Sequence, residues 1–141
     1  MTRDPHLRNI VAIGASAGGI EAICRLLKVL PRDMPASVLI VLHRPIETPN
    51  HLREILSGNC SMPVIVGHEG QVLRPGVCYL GEPSRHLTIG PDFRIHLLPD
   101  HAFRSSNVDA LFFSLARHAG QRTIGVVMSG MLRMAHGLCP P

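Results

Sequence analysis

Residues 9–43 read NIVAIGASAGGIEAICRLLKVLPRDMPASVLIVLH, and the change of period along this stretch decides the fold. Asn9 to Ile13 form a short apolar run that ends in a glycine-rich turn, the pattern of a buried strand. From Gly18 the spacing becomes helical: Ile20, Ile23, Cys24, Leu27 and Leu30 make one apolar stripe. Pro31 then stops the helix, because it has no N–H and its ring clashes with the preceding turn. Ser37 to Leu42 is a second continuous apolar strand, with His43 at its carboxyl end. Strand, helix and buried strand make a βαβ unit, whose crossover requires parallel strands covered on both faces.

The rest of the chain extends this plan. Thr48-Pro49 reads as an N-cap followed by proline at the first helical position, opening a helix through about Leu56. Pro63 to Val66 is a short strand, and Val77 to Leu80 and His86 to Ile89 follow around a Gly-Glu-Pro turn. Gly90-Pro91-Asp92 then leads to Phe93–Leu97, which predicts a hairpin. Ser106 to Ala119 returns to helical spacing through Val108, Leu111, Phe112, Leu115 and Ala119, and Arg122 to Met128 is another buried strand. The expected fold class is α/β: a doubly wound, mostly parallel three-layer sheet with a β-hairpin in the middle and an incomplete C-terminal part. Leu132 to Pro141 carry no helical stripe, so nothing there is suited to cover the far side of the last strand.

With 141 residues, the chain has room for one domain, residues 1–141, and not for two. No apolar run reaches the length of a membrane span, and the first residues have no apolar core of a signal peptide, so the expected location is the cytoplasm. The net charge is +4, but the basic residues are dispersed and only 4% of residues are aromatic. That gives a mildly basic solvated surface, with little to stack on bases and no nucleic-acid partner expected. The four cysteines (Cys24, Cys60, Cys78, Cys139) have no CxxC spacing and read as reduced packing thiols. Nine histidines include no HExxH and no close pair at helical spacing, so no metal site is expected.

Residues 14–19, Gly-Ala-Ser-Ala-Gly-Gly, fit G-x-S-x-G between a strand and a helix. Small neighbours would let the chain turn sharply at Ser16 and lift its hydroxyl over the carboxyl end of the sheet, with the amide of Ala17 as a first oxyanion donor. Two other readings stand beside this one. A glycine-rich strand-to-helix loop is a ready anion site, although this one matches neither the dinucleotide fingerprint nor a P-loop. It also fits a plain packing turn. His43 favours the catalytic reading, since the carboxyl ends of neighbouring parallel strands share one edge and a serine needs a base beside it.

These residues resemble a known family. IVAIGASAGGIEA and LIVLHRP are followed in order by GQVLRPGVCYL (Gly70 to Leu80), PSRHLTI (Pro83 to Ile89), SSNVDALF (Ser105 to Phe112) and IGVVMSGM (Ile124 to Met131). Over about residues 9–131 the chain is similar to the catalytic domain of the chemotaxis-type protein-glutamate methylesterases. The resemblance implies a doubly wound α/β fold without a cofactor. It also implies hydrolysis of glutamate methyl esters, and often glutamine deamidation, on chemoreceptor-type proteins. Carried across, Ser16 is the nucleophile, His43 the general base, and Met131 a second backbone donor to the oxyanion. Only a few residues precede the first strand, so no receiver domain is expected there.

The likeness breaks at its third motif. The family pattern Gly-Met-Gly-x-Asp-Gly-Ala carries the aspartate that orients the histidine, whereas this chain reads Gly130-Met131-Leu132-Arg133-Met134-Ala135-His136-Gly137. No Asp or Glu follows Asp109, so the third triad residue is absent. With compatible codons, a one-base shift of frame just after Met131 would restore Asp-Gly-Ala, which makes a frameshift the expected origin of the divergent end. Asp109 is a substitute in principle, but at a helix start an acid is favourable anyway, and Asp100 in its loop has no better claim. The function expected is an impaired methylesterase-type hydrolase. The alternatives are an inactive fragment or binding module of the same family, and an anion or nucleotide binder. The incomplete sheet also predicts self-association through its exposed last strand.

Overall fold

The computed structural model describes residues 9–43, 51–82, 84–99 and 107–128. The first stretch forms the expected βαβ unit, β1 (Ile10–Ser16), α1 (Ile20–Val29) and β2 (Ser37–His43), with β1 and β2 parallel. β1 takes in Gly14, Ala15 and Ser16, so the chain turns only afterwards, in one 3₁₀ turn at Ala17–Gly19. The chain continues through α2 (Leu52–Ser57), β3 (Val64–Val66) and β4 (Cys78–Leu80). It then forms the hairpin β5 (Arg85–Ile89) and β6 (Ile95–Pro99), α3 (Asn107–Ala119) and β7 (Thr123–Met128). The cap expected at Thr48-Pro49 lies outside the described residues, as do Asp100, Met131 and Cys139.

Five strands make one parallel sheet in the order β3-β4-β2-β1-β7, and β5 pairs antiparallel with β6 as a separate ribbon. Side chains alternate across a strand, and this sorts the apolar runs into two cores. Ile13 and Ala15 of β1 and Val38, Ile40 and Leu42 of β2 pack with Ile23 and Leu27 of α1 and Leu52 and Leu56 of α2. Ile10 and Ala12 of β1 and Leu39 and Val41 of β2 pack on the other side with Leu111 and Leu115 of α3 and Leu87, Ile89 and Ile95 of the hairpin. The result is the three-layer, doubly wound arrangement that two-sided apolar strands require. Leu27 is fully buried, and burying such a side chain stabilises the fold by about 2 kcal/mol.

Tyr79 and Ser114 pair their hydroxyls where they meet the cores. The Tyr79 hydroxyl accepts the Arg74 N–H at 2.8 Å and donates to the Val72 carbonyl at 3.3 Å. Ser114 of α3 accepts the Ile89 N–H at 3.0 Å and donates to the Leu111 carbonyl at 2.7 Å, tying the helix to the hairpin. At the hairpin turn the left-handed residue is Phe93, with φ 58°, rather than a glycine. Its side chain packs against the second core. Cys24, Cys60 and Cys78 are free thiols, and burial pushes each above the ordinary thiol range.

An ion pair joins the segment after β3 to β6. His96 Nδ1 lies 2.9 Å from Glu69 Oε2 and Nε2 lies 3.4 Å from Asp92 Oδ1. The other Glu69 oxygen accepts the Leu97 N–H at 2.9 Å. The hydrogen bond to Glu69 raises His96 above the ordinary histidine range, and the Leu97 amide, then His96, hold Glu69 below the usual carboxylate range. A raised histidine contributes stability below its unfolded value and loses it as pH rises through the folded value. A lowered carboxylate contributes above its unfolded value and loses it as pH falls. The pair therefore helps most at about pH 5 to 6.5. Glu69→Gln keeps an acceptor for Leu97 and removes the charge. It should lower the melting temperature slightly, and more at about pH 5.5 than at about pH 8.5. Equal drops at both would contradict this account.

β7 is an edge of the sheet as described, and it is apolar on both faces. Val126 and Met128 pack on the first core, whereas Ile124 (65% exposed) and Val127 (71%) face outward. Among the described residues no helix is long and apolar enough to cross a membrane.

Candidate active site

The parallel register sets Ser16, the last residue of β1, directly opposite His43, the last residue of β2. Neighbouring strands lie about 4.8 Å apart, and laterally paired residues point to the same face. Ser16 has the parity of Ile10 and Ala12, and His43 that of Leu39 and Val41, so both belong to the face covered by α3. His43 is exposed and Ser16 half-buried, which places the pair at the open carboxyl edge where parallel sheets take their ligands.

The small residues around Ser16 have a different purpose from the sharp turn that the motif suggests. Ser16 stands in regular strand, and among the described residues the only non-glycine with positive φ is Phe93, so the sharp turn expected at Ser16 is not the geometry observed. Packing requires the glycines instead. A Cβ on Gly14 would overlap Val108 Cγ1 and lie 2.9 Å from Cγ2, so glycine lets the first turn of α3 settle onto β1. A Cβ on Gly19 would stand 3.0 Å from Ala15 Cβ and 3.5 Å from the Met128 carbonyl, so α1 can start close against the sheet.

Ala17 opens the 3₁₀ turn that leads into α1, which puts its backbone amide directly after Ser16. Asp109 is exposed in the first turn of α3, where negative charge favours the helix. Asn107 was not singled out from the sequence. Its Nδ2 donates to the Leu42 carbonyl at 3.1 Å, next to His43. An Asn at a helix start looks like an ordinary cap, and nothing local to 107 signals a partner 65 residues away. Among the described residues no group of three or more His, Cys, Asp or Glu is arranged to hold a metal ion.

Fold and site together define a doubly wound α/β domain with a serine and a histidine paired at the carboxyl ends of adjacent parallel strands. Residues 11–134 match the family model described as CheB methylesterase. The chain belongs to the CheB methylesterase family. It is 33% identical over 132 residues to a protein-glutamate methylesterase/protein-glutamine glutaminase of Halalkalibacterium halodurans, covering 90% of this chain and 38% of that protein. It is 38% identical over 139 residues to a second protein of that name from Cupriavidus pinatubonensis, covering 93% of this chain and 38% of the relative. The crystal structure of the Thermotoga maritima CheB methylesterase catalytic domain superposes with TM-score 0.74 at 25% identity, covering 85% of this chain and 66% of that one. The chain thus spans well under half the length of these two relatives.

Proposed function

We propose that this chain is a protein-glutamate methylesterase-type hydrolase of the cytoplasm, acting on methyl esters of chemoreceptor-type proteins through Ser16 and His43. The observation that carries the reading is the lateral pairing of Ser16 with His43 on one face of the sheet. In the reaction the Ser16 hydroxyl attacks the γ-ester carbonyl while His43 accepts its proton. The tetrahedral oxyanion takes hydrogen bonds from the amides of Ala17 and Met131, and collapse expels methanol with the proton from His43. Water, deprotonated by His43, then releases the glutamate and regenerates Ser16. Deamidation of glutamine runs the same course with ammonia as the leaving group. No cofactor enters.

The reading includes an impairment. Where the family's third motif would carry the aspartate that holds the histidine in its working tautomer, residues 130–137 read GMLRMAHG and include no carboxylate. In the template triad, loss of that role costs about 10⁴ in turnover. We read residues 1–141 as one methylesterase-type domain that departs from its relatives after about Met131. Sequencing the coding region tests the frameshift origin: a shifted frame encoding Asp-Gly-Ala and continuing domain supports it, and its absence ends that idea. The missing carboxylate also favours a second reading, an inactive module that keeps the family surface. A serine-directed fluorophosphonate separates the two: labelling confined to Ser16 supports the hydrolase, and folded protein that takes up no label supports the module.

Self-association through β7 belongs to the same reading, because Ile124 and Val127 leave an apolar edge exposed. Sedimentation velocity should show concentration-dependent dimers or larger species that Val127→Lys weakens. A strictly monomeric parent would contradict it.

A further inference from the structure

We propose that Asn107 is a positioning residue for His43: it supplies the rung that β2 lacks at its carboxyl end and so fixes the peptide that carries the base. The inference rests on the Ser16–His43 reading above and adds a residue to it. Along β2 the hydrogen bonds alternate sides. Ser37 N–H donates to the Asn9 carbonyl on the β1 side at 3.0 Å, and Val38 N–H donates to the Val77 carbonyl on the β4 side at 3.0 Å. Even-numbered residues of β2 therefore face β4. That ladder ends at the Ile40–Leu80 pair and is closed by Gly81 N–H donating to the Ile40 carbonyl at 2.9 Å. The next carbonyl on this edge is Leu42, beyond the last paired residue of β4. Asn107 Nδ2 meets it at 3.1 Å.

The Leu42 carbonyl and the His43 N–H belong to one planar peptide unit, so holding the oxygen fixes the direction in which β2 delivers His43. Asn107 is itself anchored by its neighbour. Val108 occupies the space that Gly14 leaves open on β1, two residues before Ser16. The first turn of α3 thus grips both strands that carry the pair, with a hydrogen bond on β2 and a packing contact on β1. Without the amide donor, the end of β2 would keep its β1 partner but lose its β4-side restraint, and His43 would spend less time opposite Ser16.

Asn107→Leu tests this. It keeps similar bulk, removes the donor and is a better helix former, so α3 itself is not weakened by propensity. The rate of fluorophosphonate labelling at Ser16 would be measured in the parent, Asn107→Leu, His43→Ala and the double variant. A slowing of about fivefold is expected in the parent background, the size of one hydrogen bond's net contribution. No further slowing is expected once His43 is gone. Equal slowing in both backgrounds would show a general structural role and overturn the proposal, as would no slowing at all. Amide hydrogen exchange gives a readout independent of reactivity. Asn107→Leu should speed exchange at His43 and leave Val38 and Leu39 unchanged, and unchanged exchange at His43 overturns the proposal. If the parent takes no label, the dyad reading fails and the exchange result alone decides the role of Asn107.

Discussion

Ser16→Ala is expected to abolish methanol release from a peptide bearing a glutamate γ-methyl ester, down to the uncatalysed rate. In the proposed reaction this hydroxyl forms the acyl bond, and among the described residues the paired strand ends carry no second nucleophile. His43→Ala should be less severe, lowering turnover by about 10²-fold or more, the usual worth of a positioned general base. On the proposed reading the parent rate itself should be low, because an imidazole without its carboxylate partner samples the wrong tautomer. The comparison is therefore best made under single-turnover conditions, where acylation is seen apart from deacylation. A Ser16→Ala protein that hydrolysed the ester as fast as the parent would remove the nucleophile from the account.

Gly14→Ala should cause the largest loss of stability of any single-methyl change near the site, about 3 kcal/mol, at the upper end for overpacking a filled space. The added Cβ meets Val108, a β-branched side chain with little rotamer freedom in a helix. The backbone beneath it is tied to β2 through Asn107. Relief by rotation is therefore poor, and α3 must move away from the sheet. Val108→Ala in the Gly14→Ala background should recover much of the loss. Denaturant melts of the four proteins measure that coupling, and additive effects would show that the two side chains do not compete for one space.

Most of the fold was legible because the decisive elements carry strong period signals. The two-sided apolar runs of β1 and β2 can be stable only inside a covered parallel sheet, and the stripe on α1 can face only that sheet. Ser16 and His43 were legible for the same reason, since each directly follows or ends such a run. The grip from α3 was not. Gly14 has no local sign that distinguishes a tight turn from room for a distant valine, and its purpose appears only once Val108 is seen against it. The same holds for Asn107, whose partner lies on a strand far away in sequence. The left-handed conformation at Phe93 also goes against local preference, and accompanies its packing on the core beneath the hairpin.

The position of β1's end illustrates how sequence and structure divide the work. Reading Ser16 as part of a turn made the serine conspicuous, but the strand continues through it. That continuation is what brings the serine into register with His43, since a turn beginning at Gly14 would have left the histidine without a lateral partner. The pairing is thus a property of strand length, which the apolar pattern alone understates by three residues, Gly14, Ala15 and Ser16.

Peptide-mapped mass spectrometry after exposure to a fluorophosphonate tests the dyad most directly, because it traps the first covalent step and needs no deacylation. One phosphonyl adduct is expected, on the peptide containing Ser16, absent in Ser16→Ala and slowed in His43→Ala. A folded parent that carries no adduct, or an adduct that persists undiminished in Ser16→Ala, would contradict it.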